Sequence, residues 1–156
     1  MLDRIFPRQF DNKYSGHKLA LWLFGLLVLV KLGISLSSIF DTYDMVQSAD
    51  GIPLSTFTAG GAEAVVSVTT LLGLSHLLLA LLCVMTLVRY RSMIPLMYVV
   101  LLVEFLAKKW ILLAKPIVRT GASPATYVNL ALIVLLLAGV VLSLWRPTSR
   151  LKPTAK

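Results

Sequence analysis

Four side chains inside apolar stretches are where this sequence could do chemistry: Lys31, His76, Glu104 and Lys108. An ionisable group in a long apolar run is costly in hydrocarbon, so its presence calls for a partner or a task. Glu104 and Lys108 stand at i and i+4, which puts them on one helical face in the favourable order, carboxylate first. Lys31 is followed at the same spacing by Ser35, with Ser38 a further turn on. His76 belongs to a stripe of small and polar residues, Thr69, Gly73, His76, Ala80 and Cys83. Such stripes let membrane helices approach closely. Measured at 1.5 Å per residue from the basic end of each run, Lys31 and His76 lie about 18 Å up, Glu104 about 15 Å and Lys108 about 21 Å. Asn129, on a fourth run, lies about 24 Å up, where it could cap the cluster from above.

Three readings of this layer compete. In the first it is structural: Glu104 pairs with Lys31 or Lys108, His76 bonds nearby, and the set keeps helices in register. In the second it is a site that binds an anionic or protonatable ligand or relays protons. Two lysines against one carboxylate leave excess positive charge, which suits an acidic head group, a carboxylate or a quinone oxygen. In the third, Lys108 and Lys109 reach past the hydrocarbon to the interface.

Other chemistries lack their residues. A lone intramembrane carboxylate has no matched acid–base partner, so no catalytic residue is assigned and the chain reads as a non-enzyme. Bis-histidine haem ligation fails because His17 lies about 20 Å from the level of His76. One cysteine and two histidines cannot furnish a Cys/His metal site. Cys83 is alone, so no thiol pair exists, and its expected role is that of a small buried residue. No cofactor is assigned beyond a bound lipid or quinone.

The elements that must carry these residues are helices. Hydrophobic residues make up 58% of the 156 and charged residues 14%, with a mean hydropathy of +0.85. A soluble domain is nearer half apolar and a quarter charged. The apolar residues fall in four blocks, each near the ~20 residues that cross ~30 Å of hydrocarbon. The expected fold is an all-α membrane protein: one compact four-transmembrane-helix bundle, up-down-up-down. Its expected spans cover about 18–40, 64–88, 93–114 and 125–145. Residues 41–63 are expected to form an acidic outer loop, and residues 146–156 a basic, disordered tail. The apolar run Leu19 to Val30 follows a basic start as in a signal peptide, but Lys31 interrupts it and no clear cleavage site follows, so it is expected to be a retained span. Ser92 is the expected N-cap of the third helix. Phe6, Phe10 and Tyr14 recur every four residues, which suits a segment at head-group level.

The net charge of +8 does not point to nucleic acid, because the basic residues flank apolar blocks instead of forming a stripe. They read as topology signals and contacts to anionic lipid at the cytoplasmic face. Arg4, Arg8, Lys13, Lys18, Arg89, Arg91, Arg146, Arg150, Lys152 and Lys156 make ten on one side. Lys108, Lys109, Lys115 and Arg119 make four on the other. The imbalance predicts both termini on the cytoplasmic side.

Three segments carry a resemblance: Phe6–Asn12, Ala49–Leu54 and Arg89–Tyr98. They resemble parts of small proteobacterial four-span inner-membrane proteins, a likeness that brings no activity with it. In architecture alone the chain is similar to the DoxX-like family of compact four-helix inner-membrane proteins, some associated with redox complexes. No motif residue carries over. The function expected first is therefore a non-catalytic accessory or interaction subunit, with a membrane-protein partner or a second copy of itself. The alternative is a quinone-, lipid- or proton-handling protein built on the Lys/His/Glu layer.

Overall fold

The computed structural model describes residues 5, 11, 12, 14, 16–121 and 123–145. Phe6, Phe10 and the tail 146–156 lie outside them, so the expectations placed there do too. Among the described residues every regular element is helical. The long ones are α1 (Lys18–Phe40), α2 (Ala59–Val88), α3 (Ile94–Ala114) and α4 (Pro124–Leu144). Three of them, α1, α2 and α4, are long and apolar enough to cross a membrane, with mean hydropathies of 2.3, 2.4 and 2.5. α3 has 21 residues, but Glu104, Lys108 and Lys109 interrupt its second half.

Apolar side chains cover the outer faces of α1 and α2 as well as filling the core. α1 buries Lys31, Ser35 and Ser38 and exposes Leu26, Leu29, Leu36 and Phe40. α2 likewise buries Gly73, Ala80, Cys83 and Thr86 while Leu71, Leu74, Leu78 and Leu82 face outward. Water would penalise so much exposed apolar surface; lipid does not. The burial of Cys83 agrees with the small packing residue expected there.

Two elements differ from expectation, for local reasons. The segment 41–63 is mostly ordered. Thr42 Oγ1 donates to the Ser38 carbonyl at 2.7 Å, which carries helical backbone on into a turn at Thr42–Asp44 and a π-helical turn at Met45–Ala49. α2 then starts at Ala59, not near residue 64, because the Thr58 side chain caps it, accepting from the Gly61 N–H at 3.2 Å. The cap favours a start that the poor helix propensity of Gly60 and Gly61 works against. At the other end, Met93 takes the N-cap position of α3. Ser92 is diverted: its hydroxyl donates to the Asp11 carbonyl at 3.0 Å and accepts from the Asp11 N–H at 3.1 Å. The N-terminal segment is thereby tied to the α2–α3 link.

Hydrocarbon gives apolar faces no reason to associate, so close packing and buried polar contacts must hold the helices. α1 and α2 touch at Gly73, where an added Cβ would lie 2.8 Å from Ser38 Cβ. One turn further on, the Thr42 and Thr70 hydroxyls bond at 2.9 Å. Tyr98 joins three helices. It projects from α3, donates its hydroxyl to the Ala20 carbonyl of α1 at 2.7 Å, and sets its ring edge-on to Phe24 at 5.1 Å. The other side of the ring fills the notch left by Gly139 on α4. At the far end of the molecule the Gly51 carbonyl, presented by a residue at φ +69°, accepts from the Thr120 N–H at 2.9 Å. Ser123 Oγ adds a bond to the Ala49 carbonyl at 2.6 Å. The segment after α1 is thus latched to the α3–α4 link.

Candidate ligand site

Lys31, Glu104, His76 and Lys108 meet where α1, α2 and α3 face one another. Glu104 is the hub. Lys31 Nζ donates to both of its oxygens, at 2.8 and 3.0 Å. Lys108, one turn along the same helix, donates to Oε1 at 2.5 Å. His76 Nε2 stands 3.3 Å from that oxygen and 2.5 Å from Lys108 Nζ. A charged ammonium has only donors, so His76 Nε2 accepts from Lys108 and the neutral ring carries its proton on Nδ1. A proton arriving at Nε2 would break that bond and turn the ring into a donor toward Glu104.

Phe105 supplies the floor. Its ring lies 5.6 Å from Lys31 Nζ and 5.5 Å from Lys108 Nζ, so one aromatic face region serves two cations. Nothing in the chain marked it out beyond its place beside Glu104.

Exposure is graded. The side chains of Lys31, Glu104, His76 and Lys108 are 10%, 17%, 24% and 41% accessible. The pair Lys31–Glu104 is therefore deep, and Lys108 stands at the mouth. Taking the two ammoniums, one carboxylate and a neutral imidazole, the formal sum is +2 − 1 = +1. Each ammonium has three N–H donors. Lys108 engages Glu104 and His76 among the described residues, which leaves one donor at the most accessible position.

The remaining expectations fare differently. Asn129 is exposed on α4 and makes no bond to the four, so it does not cap them. Height alone had suggested it; its direction around the helix removes it. Ser35 shares the buried face with Lys31, but its hydroxyl donates to the Lys31 carbonyl at 2.7 Å and takes no part in the cluster. Lys109 is exposed, as a lysine reaching outward should be, whereas Lys108 is turned in to Glu104.

No protein-family model, curated protein or solved structure matches this chain.

Proposed function

We propose that the protein is a four-span inner-membrane protein of a bacterium, both termini cytoplasmic, that binds the polar head of a lipid-soluble ligand beside Lys108. The bundle is up-down-up-down, and α3 completes it as the fourth span. The one observation that carries the binding reading is the spare Lys108 donor on a cluster of formal charge +1, on the most accessible of its four side chains. Such a donor recognises an acceptor oxygen, either a carboxylate or a quinone-type carbonyl. Lys31 and Glu104 hold the arrangement from below, and Phe105 keeps both ammoniums in place. His76 is the group that can take up or release a proton as the ligand binds. The reaction class is binding with proton adjustment, not catalysis.

The test uses the full chain in lipid nanodiscs with two probes, a photoreactive fatty acid and a short-chain quinone. At least one should bind saturably. Lys108→Met should weaken it by roughly tenfold or more, the worth of a charge-assisted hydrogen bond. Lys109→Met, which alters the exposed neighbour, should leave it unchanged. Equal binding by wild type and Lys108→Met would remove this reading. The accessory-subunit reading draws instead on the broad apolar faces of α2 and α4. A stoichiometric membrane protein copurifying in mild detergent, with neither probe bound, would favour it.

A further inference from the structure

A second recess lies at the opposite end of the molecule from the Gly51–Thr120 latch. There α1 begins, α4 ends, and the α2–α3 link turns. It is an open-sided recess of about 550 Å³. Its walls include Asn12, Tyr14, His17, Lys18, Leu21 and Arg91.

Basic and hydrogen-bonding side chains border it. Arg91 is anchored by its Nε, which donates to the Leu87 carbonyl at 3.0 Å. That leaves the terminal guanidinium nitrogens available, and no described carboxylate pairs with Arg91 or Lys18. The Tyr14 ring lines the recess, but its hydroxyl is itself occluded and has no hydrogen-bond partner among the described residues. Burial pushes it up to about 12, so it stays a protonated donor at physiological pH. His17 Nδ1 accepts from the Leu19 N–H at 3.2 Å, which puts the neutral ring's proton on Nε2 and makes that edge a donor as well. Lys18 opens α1, so the positive end of the helix dipole adds to its charge. Two cations, the His17 edge and a helix start therefore border one volume. Among the described residues nothing acidic lines it.

We infer that this recess binds a phosphate group, and that the group belongs to an anionic phospholipid. Phosphate is the chemistry that uses several donors around one centre, and guanidinium meets it in a fork. The lipid source follows from the apolar surroundings. Leu21 lines the recess, and Leu19 and Trp22 stand exposed on the adjoining turn of α1, where an acyl chain would run. This site is separate from the Lys108 recess and does not depend on it.

The test is lipid retention by the full chain purified in neutral detergent and exchanged into phosphatidylcholine vesicles containing phosphatidylglycerol. Native mass spectrometry should find one phosphatidylglycerol held per chain, with phosphatidylcholine not retained. K18Q/R91Q should lower its affinity by roughly tenfold or more while the unfolding temperature stays the same. If the double variant is destabilised, Lys18→Gln alone, which changes an exposed side chain, should give a smaller loss in the same direction. Inorganic phosphate is the competing probe. If it binds alone and displaces the lipid, the lipid assignment is overturned in favour of a free phosphate. If wild type and variants retain the lipid equally, the site itself is overturned.

Discussion

Tyr98 and Gly139 fit each other: a Cβ built on Gly139 would lie 2.1 Å from Cε1 of the tyrosine ring. The ring is fully buried and flanked by Phe24, so it has nowhere to retreat. Its hydroxyl is also committed, to the Ala20 carbonyl. Gly139→Ala must therefore displace a three-helix junction. Overpacking of this kind costs about 1–3 kcal/mol. We expect a lowered unfolding temperature in detergent for Gly139→Ala. Gly33→Ala, at a glycine of α1 with open space around it, should be neutral or stabilising. Equal behaviour of the two would show that Tyr98 is not wedged there.

Lys31 and Glu104 predict a coupling. Removing one member strands the other in a poorly solvated layer, a loss of about 3–5 kcal/mol when the pair is fully buried and less here. Lys31→Met and Glu104→Gln should each destabilise the protein, and the double variant should be no less stable than the worse single one. Strictly additive losses in a double-mutant cycle would deny the pair. Part of the Glu104→Gln loss should come from Lys108 and His76, which share the same carboxylate.

The heights of these residues could be read from the sequence because a helix converts residue number into distance at a fixed rise. Direction around the axis could be read only where a stripe marked it. Thr69, Gly73 and His76 mark α2, and Glu104 with Lys108 marks α3. α4 is apolar nearly all round, so nothing fixed the direction of Asn129, and it proved to face outward. Phe105 and Tyr98 were hidden for another reason. An aromatic residue in an apolar run looks the same whether it meets lipid, an ammonium or a glycine notch. The start of α2 was hidden behind Gly60 and Gly61, which resemble a loop until Thr58 is seen to cap them.

Asp50 predicts a pH effect at the latch. Burial raises its carboxyl above the usual range, and this outweighs the opposing pull of Arg119. The folded state thus holds the proton more tightly than the unfolded chain does. The resulting stabilisation is full below the unfolded carboxylate value and is lost as pH rises through the raised folded value. The protection factor of the Thr120 amide, which is bonded to Gly51, should fall from acid toward neutral pH once the intrinsic pH dependence of amide exchange is divided out. Asp50→Asn should flatten that dependence; an unchanged slope would place its origin elsewhere.

Val118 and Arg89 predict the path of α3. Both are exposed, one beyond each end of that helix. In a Cys83→Ser background, Val118→Cys should react with a membrane-impermeant maleimide from outside the cell. Arg89→Cys should react only after the membrane is opened. Labelling of both from one side would mean that α3 does not cross.

The Lys31–Glu104 bond also has a history during synthesis. The two residues are 73 positions apart, so at roughly 5–20 residues per second the lysine waits about 4–15 s for its counter-charge to be made. During that interval α1 must enter the bilayer with an unneutralised ammonium, a burden of about 2.5–3.5 kcal/mol on insertion scales. Its Leu-rich outer face has to carry that load unaided. Biogenesis of this protein is therefore least secure while only its first helices exist, and a membrane insertase that shelters α1 until α3 emerges would act at that stage.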